Sequence, residues 1–567
     1  MDRKSMREAD ELRRLAGPLE GNVIDEFVDG EMDRLGFIQR ASIVGLSAAS
    51  IGTVLRAFGS TPLAQAATMA GQAGGRLRLA IIPGPARDLE PSAFADHGTL
   101  ATGSICGEFL TRSRQNLTLQ PELATSWKSN ADGTQWAFNI RKGVKFANGQ
   151  SLTAADVVAT YKRLTDPNGG SSALSAFKGV LGPGGIKAVG QYTVVFYLQT
   201  ATPSFPYLTS NTTYQAIILP ANYQMGTFSK TPQTTGAFVM TSYTPGVGAK
   251  FDRNPNWWAG KSLLDGVDVT YYSDNAAVDA AMLGGQVDLI SQVTFAVDRA
   301  LFNNSNVVIF STRGAPHREI AMLTQTAAAA KPLRDYRVRQ AIALTLDRPA
   351  AVKALLGGFG DVGNDSPFAP VYPSTDTTVP QRHQDLAQAK KLLAQAGYAR
   401  GFSVTLTTEK FQEIPQLVQI LAASAKKIGV DINLNILTSD AYYGGTYSGG
   451  ATGRGTTPWL NSPMSCTDWG HRSVPNVLLN SAVETGGVWN EADYSNKQVD
   501  AAIKSYTGAL SLKDQKKYAR QIELQMLHDS PYIFPYFFRW TQAGSKKVKG
   551  FKADAIGTQY LGKTSLG

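Results

Sequence analysis

The chain has 567 residues, too many for one hydrophobic core, so two or three lobes are expected. With 43% apolar and 18% charged residues it reads as a globular protein, not a disordered one, and its body contains no run of about 20 apolar residues that would span a lipid bilayer. The formal net charge is +10, yet residues 1–66 carry 8 basic against 10 acidic side chains, so the remainder carries the excess. Its Lys and Arg are scattered among Gly, Thr and Ser with no basic run, which argues against nucleic acid as a partner. A basic surface of this kind favours acidic solutes or anionic headgroups by long-range attraction.

Residues 41–55, ASIVGLSAASIGTVL, form a mildly apolar run preceded by Arg34 and Arg40 and followed by Ala64-Gln65-Ala66, a small-x-small cleavage pattern. Residues 1–66 therefore read as an export leader with a long n-region, cleaved near Ala66, and the mature protein as periplasmic. The other reading of this run is a buried helix of the mature fold. Asp33-Arg34-Leu35-Gly36-Phe37-Ile38 resembles a twin-arginine signal, with Leu35 in place of the second arginine; the export route stays open. No cysteine follows the run, which argues against a lipid anchor.

Residues 76–82 predict a first strand, followed by a polar loop from Pro83 to Gly98. Trp136, Phe138 and Ile140 alternate on one face of a strand at 135–140, Val144 and Phe146 continue the pattern, and Asn148-Gly149 signals a turn. Thr153 is placed to cap a helix with Asp156 at its third position. Further on, residues 335–346 are helical, and Asp347 starts a helix that stops at Gly357-Gly358. Asp385 starts another that ends at Gly397. A helix over 416–428 ends at Gly429 and gives way to the alternating strand Val430, Ile432, Leu434, Ile436. Helix, glycine and strand in repeated succession describe α/β layers. Loops rich in Gly, Ser and Thr at 165–185 and 444–465 are candidates for mobile or cleft-lining segments.

Chemistry-bearing motifs are scarce. There is no GxSxG elbow, HExxH or P-loop, so the chain does not read as an enzyme. Two cysteines, Cys106 and Cys466, without a CxxC pair, argue against a structural zinc site. They read as separate thiols packed as small hydrophobes, with a disulfide between lobes as the alternative. No cofactor is expected.

Six blocks, in order, resemble the dipeptide/oligopeptide-binding family of ABC-importer receptors, solute-binding family 5 of the peptide, opine and nickel type. They are Pro121 to Val158 (PELATSW through ADGTQWAFNIRKGVKFANGQSLTAADVV), 234–258, AMLGGQVDLI at 281–290, 332–352 followed by Ser366-Pro367, DLAQAKKLLAQAGY at 385–398, and ADYSNKQVDAAI at 492–503. The resemblance implies an α/β fold, a two-lobed periplasmic-binding-protein clamshell with an additional subdomain. Lobe I would comprise 76–110, 235–310 and 533–567; the extra subdomain 111–234; lobe II 311–532. Ligand would lie in the cleft between lobes, and an inner-membrane ABC permease would receive it from a monomeric receptor. A chemoreceptor adaptor or an extracytoplasmic chaperone of the same fold is the alternative.

In that family a Trp-x-x-Asp segment faces the cleft and its carboxylate pairs with the α-ammonium of a peptide. Here the segment runs Asp468-Trp469-Gly470-His471-Arg472, with the tryptophan kept and Arg472 where the carboxylate is expected. A guanidinium repels an ammonium, by ~4 kcal/mol at ~4 Å near a protein surface, and suits a bidentate grip on a carboxylate or phosphate. Arg472 therefore points to an acid-bearing solute, or else pairs internally with Asp468 or another acid. Further candidates for ligand contact are Phe94 and His97 in the loop after the first strand, Trp459 and Trp469 as stacking surfaces, and His471.

Overall fold

The structure, a computed structural model, describes residues 11–57, 73–325, 328–446 and 455–567, apart from Arg14, Asn116 and Pro232. The expected cleavage point at Ala64–Ala66 lies outside these residues. So does the middle of the Gly-rich loop at 444–465.

Two seven-stranded sheets carry the two halves of the molecule. The first is built around Arg76–Ile81, which pairs in parallel with Gly266–Tyr271 on one side and Leu289–Ile290 on the other. Phe238–Thr244 and Gly248–Arg253 extend it at one edge, Trp540–Ser545 and Val307–Thr312 at the other. The second sheet has His317–Met322 and Met464–Trp469 side by side at its centre, antiparallel, with Phe402–Glu409 and Val430–Leu437 added in parallel. Strands Tyr532–Ile533 and Tyr536–Phe538 also pair within the second sheet, so the chain returns to the first only at Trp540, later than residue 533. A four-stranded antiparallel sheet holds Ala124–Ser129, Gln135–Ile140, Ile186–Ala188 and Thr193–Tyr197. Trp127 stacks on Phe138, which meets Phe196 edge-on, across this sheet.

Local chemistry explains the elements. The Asp156 carboxylate accepts from the Thr153 N–H at 2.7 Å and from its hydroxyl at 2.9 Å, starting the helix Ala154–Thr165. Asp347 and Asp385 accept from Ala350 N–H at 3.0 Å and Gln388 N–H at 2.8 Å, starting Arg348–Leu356 and Leu386–Gln395. Gly357 sits in the left-handed region at φ +57°, where a β-carbon is disfavoured, and stops its helix. After Phe146 no strand continues: only an isolated bridge joins Lys145 to Ser151 around the turn.

The apolar run 41–55 is not one helix. Asp33 accepts from Gly36 N–H at 2.8 Å and starts Arg34–Ile43; the chain then turns at Gly45, with φ +93°, before Ala48–Ala57. Both helices, with Pro18–Val28, share one core with Leu119, Trp127 and Leu512 of the body. Cys106 and Cys466 are separate buried thiols, with no disulfide between them. Burial pushes Cys106 up to about 12 and raises Cys466 as well, so both stay protonated and inert.

Candidate functional site

The strand Met464–Trp469 delivers the loop Gly470-His471-Arg472-Ser473 at the edge where the parallel strands Phe402–Glu409 and Val430–Leu437 also end. Carboxyl ends of parallel strands are where open α/β sheets take ligands, because loops diverge there and backbone donors are left unpaired.

Beneath that loop lies a buried ion cluster. Arg318, on the neighbouring strand and paired in register with Asp468, is wholly buried. Its guanidinium grips Glu413 with two bonds of 2.9 and 3.0 Å and donates a third to Asp468. Tyr536 adds a hydroxyl to Glu413 at 2.9 Å, and the Phe538 ring lies 4.4 Å from the guanidinium. Asp468 is therefore committed to Arg318, not to Arg472.

Arg472 is left with neutral partners. Its Nη1 donates to the Tyr214 hydroxyl at 3.0 Å and to the His471 carbonyl at 3.1 Å, and its guanidinium lies 4.9 Å over the Tyr214 ring. Among the described residues no acidic side chain pairs with it. Tyr214 packs in the core shared with the first sheet, and Arg472 follows a strand of the second, so this contact runs between the two. Ser473 crosses beside it, bonding Ser113 at 2.9 Å and Thr212 at 2.6 Å, while the Tyr372 hydroxyl donates to the Arg472 carbonyl.

His471 is 1% exposed, and its Nδ1 accepts from the Ala315 N–H at 2.9 Å. That bond fixes the tautomer: the proton of the neutral ring must sit on Nε2, which is buried and has no partner. Burial, with Arg472 and His317 adding positive charge, pushes His471 down to about 3, so it is neutral at physiological pH and is not a pH sensor.

Trp459 and Trp469 come together, ring centroids 6.0 Å apart, and Trp489 joins at 5.4 Å from Trp469. The Trp469 indole donates to Glu491 at 3.3 Å, which also accepts from Ser465 and Thr467 at 2.8 Å each. Burial pushes Glu491 and the neighbouring Glu319 up, and their mutual repulsion raises Glu319 further. His97 begins the helix His97–Gly103, with its ring 4.6 Å from Trp540 and neither ring nitrogen partnered; burial drives it down to about 3. Phe94 lies apart from this loop. It is 1% exposed, edge-on to Phe228 at 6.1 Å, and a β-carbon on Gly103 would run into its ring. It is a packing residue of the first core, where the family resemblance implies a lining one.

The sequence reading did not find Arg318, Glu413, Glu491 or Tyr214. Arg318 and Glu319 sit in a strand, His317–Met322, that is buried along its whole length. Charges inside a buried strand demand partners, and that was the available signal.

The family model for bacterial extracellular solute-binding proteins, family 5, matches residues 118–476, more than half of the chain. The chain belongs to that family. Its members are the solute-binding proteins of ABC importers. Among the described residues no helix is long and apolar enough to cross a membrane. Among curated relatives, the oligopeptide-binding protein AppA of Bacillus subtilis is 25% identical over 500 residues, spanning 82% of this chain and 87% of its own. Two solved structures share the fold. The periplasmic binding protein DppA of Helicobacter pylori, in complex with the peptide STSA, has a TM-score of 0.74 at 21% identity, covering 87% of this chain and 98% of its own. MoaA of A. tumefaciens R10, in complex with mannopinic acid, has a TM-score of 0.73 at 22% identity, covering 87% and 99%.

Proposed function

We propose that this family-5 protein is a periplasmic receptor for an acid-bearing small solute, such as an opine-like conjugate, a sugar acid or an acylated amino acid, which it hands to an inner-membrane ABC permease. The observation that carries this reading is Arg472. It has a cation's charge, only neutral partners, and a position at the meeting of the two halves, where the family's peptide binders are expected to place a carboxylate. Asp468, the nearest acid in sequence, is already held by Arg318. His471, buried beside it with its Nδ1 held by the Ala315 N–H, fixes the course of the loop that carries Arg472. Trp459 and Trp469, each 5% exposed, pack with Trp489 as a core cluster behind the Gly470–Ser473 loop and are not needed as a stacking surface in this reading.

No reaction on the ligand is part of this reading. Solute bridging the two halves stabilises the closed arrangement, and the permease reads that arrangement. Export with cleavage near Ala66 and a monomeric mature protein complete it. The test is a thermal-shift screen on protein stripped of solute by unfolding and refolding. Sugar acids, opines and acylated amino acids are run beside di- to pentapeptides and neutral oligosaccharides. A ligand at 100 times its Kd stabilises by about 2.7 kcal/mol, which is easily read. Shifts from the acids alone support the reading; strong shifts from free peptides overturn it.

A further inference from the structure

The helices of residues 18–57 lie on the body through specific polar contacts as well as apolar ones. Glu26 and Arg40, 8% and 9% exposed, pair with each other at 3.3 Å and are completed by the body. The Leu512 N–H donates to Glu26 at 2.6 Å, and Arg40 donates to the Gln515 side chain at 2.7 Å and to the Leu510 carbonyl at 3.3 Å. All three partners sit at or just before the helix Leu512–Asp529 of the second half.

Two residues further along, the same helix Arg34–Ile43 is bound to the other half. The Ser42 hydroxyl accepts from the Leu119 N–H at 2.9 Å, and the Ile43 carbonyl accepts from the Trp127 indole at 2.8 Å. The turn at Gly45 fits so closely that a β-carbon there would strike the Trp127 carbonyl oxygen. A single ten-residue helix thus joins the subdomain of Leu119 and Trp127 to the helix at 512. Between the helices and the body is a cavity of about 60 Å³, lined by Leu19, Val23, Arg40, Tyr207, Tyr372 and Ser473. Ligand pockets are typically 300–1,000 Å³, so this is a packing seam with room for a few waters, not a solute site. Ser473 in that lining directly follows Arg472, which puts the seam against the edge of the proposed solute site.

A run that served only as transient apolar cargo for an export machine would have no use for a buried ion pair whose remaining bonds come from the mature body. We infer that the subdomain surface around Leu119 and Trp127 and the second-half surface at Leu510–Gln515 form one docking site for the chain's own N-terminal helices, which latch the two halves together until the chain is cut between Ala57 and Ala73. In the uncut chain the latch restrains opening of the cleft; cutting releases it. This rests on the reading of the protein as a receptor that opens and closes around its solute.

The test uses the full chain with a protease site placed between Ala57 and Ala73. Nitroxide labels go on Tyr197→Cys and Leu524→Cys, both exposed and on opposite halves; Cys106 and Cys466 are buried. Double electron–electron resonance is recorded before and after cutting, followed by gel filtration. The latch predicts one narrow distance before cutting. After it, the fragment separates and a longer distance becomes the major population. Arg40→Ala and Trp127→Phe, each uncut, move the distribution part of the way. An unchanged distribution in all samples, or a fragment that stays bound after cutting, overturns the proposal. The thermal-shift screen, repeated on the cut protein, reports on the solute site whether or not the latch exists, so the two readings fail separately.

Discussion

Replacing Arg318 by methionine removes the cation of the buried cluster and leaves Glu413, 0% exposed, with the Tyr536 hydroxyl as its side-chain partner among the described residues. Breaking a buried pair by removing one partner costs about 3–5 kcal/mol, because the orphaned charge keeps its desolvation penalty and loses its compensation. Asp468 differs: its side chain is 26% exposed, and water takes over when its bond to Arg318 is lost. Asp468→Asn is therefore expected to cost about 1 kcal/mol, in the range of a partly exposed ion pair. Urea unfolding of the two variants and of Arg318→Met/Glu413→Met measures this. The double variant is expected to recover most of the loss of the single one, since an apolar pair of similar volume is close to neutral against a buried ion pair. Asp468→Asn should also leave solute affinity within about threefold of wild type, because a scaffold acid makes no ligand contact. A cost below about 1 kcal/mol for Arg318→Met, or a larger cost for Asp468→Asn than for Arg318→Met, would refute the assignment of Asp468 to the scaffold.

Tyr214→Phe keeps the ring under Arg472 and removes its 3.0 Å bond. By calorimetry it should weaken acid binding by about 3–10-fold, less than the full worth of a charge-assisted hydrogen bond because Tyr214 positions Arg472 without holding the solute, with little change in melting temperature. Burial, with Asp376 adding repulsion, pushes Glu523 up to about 8. The folded state then binds a proton that the unfolded chain has released, so stability is full below about pH 4.5 and is lost as pH rises toward 8. Glu523→Gln should therefore melt higher than wild type at pH 8 and close to it at pH 4.5, and equal melting temperatures at both would count against that burial cost. His471, held neutral down to about pH 3, should make solute affinity flat between pH 5.5 and 7.5; a drop centred near the ordinary histidine value would show that the ring titrates in the site.

Much of the fold was legible because its signals are local. Asp156 sits three residues from Thr153 and Asp347 three from Ala350, and the glycines at 357 and 397 stand where the backbone leaves the right-handed region. The site was legible only in outline. Trp469 is picked out by its match to a known segment and Arg472 by its departure from it, but what surrounds them is set by contacts the chain does not spell out. Arg318 meets Glu413 across 95 positions and Arg472 meets Tyr214 across 258. No window of sequence contains both members of either pair, so the choice between an Arg472 that pairs with Asp468 and one that does not could not be made from spacing. Phe94 shows the reverse error: the resemblance places it in a lining loop, while the Phe228 ring that helps bury it comes from far along the chain. The polar bonds of Glu26 and Arg40 were hidden in the same way, since Leu510–Gln515 lies almost at the other end of the chain.

The most direct test of the central claim is isothermal titration of Arg472→Gln with the acid that gives the largest thermal shift on the wild-type protein. Gln keeps the polarity and removes the charge. A hydrogen bond to a charged group is worth about 1.5–3 kcal/mol, so the account predicts affinity falling by about 10- to 100-fold, with the loss shrinking as salt is raised. Unchanged affinity for that acid would show that Arg472 does not hold the ligand, and another cation would then have to be found in the cleft.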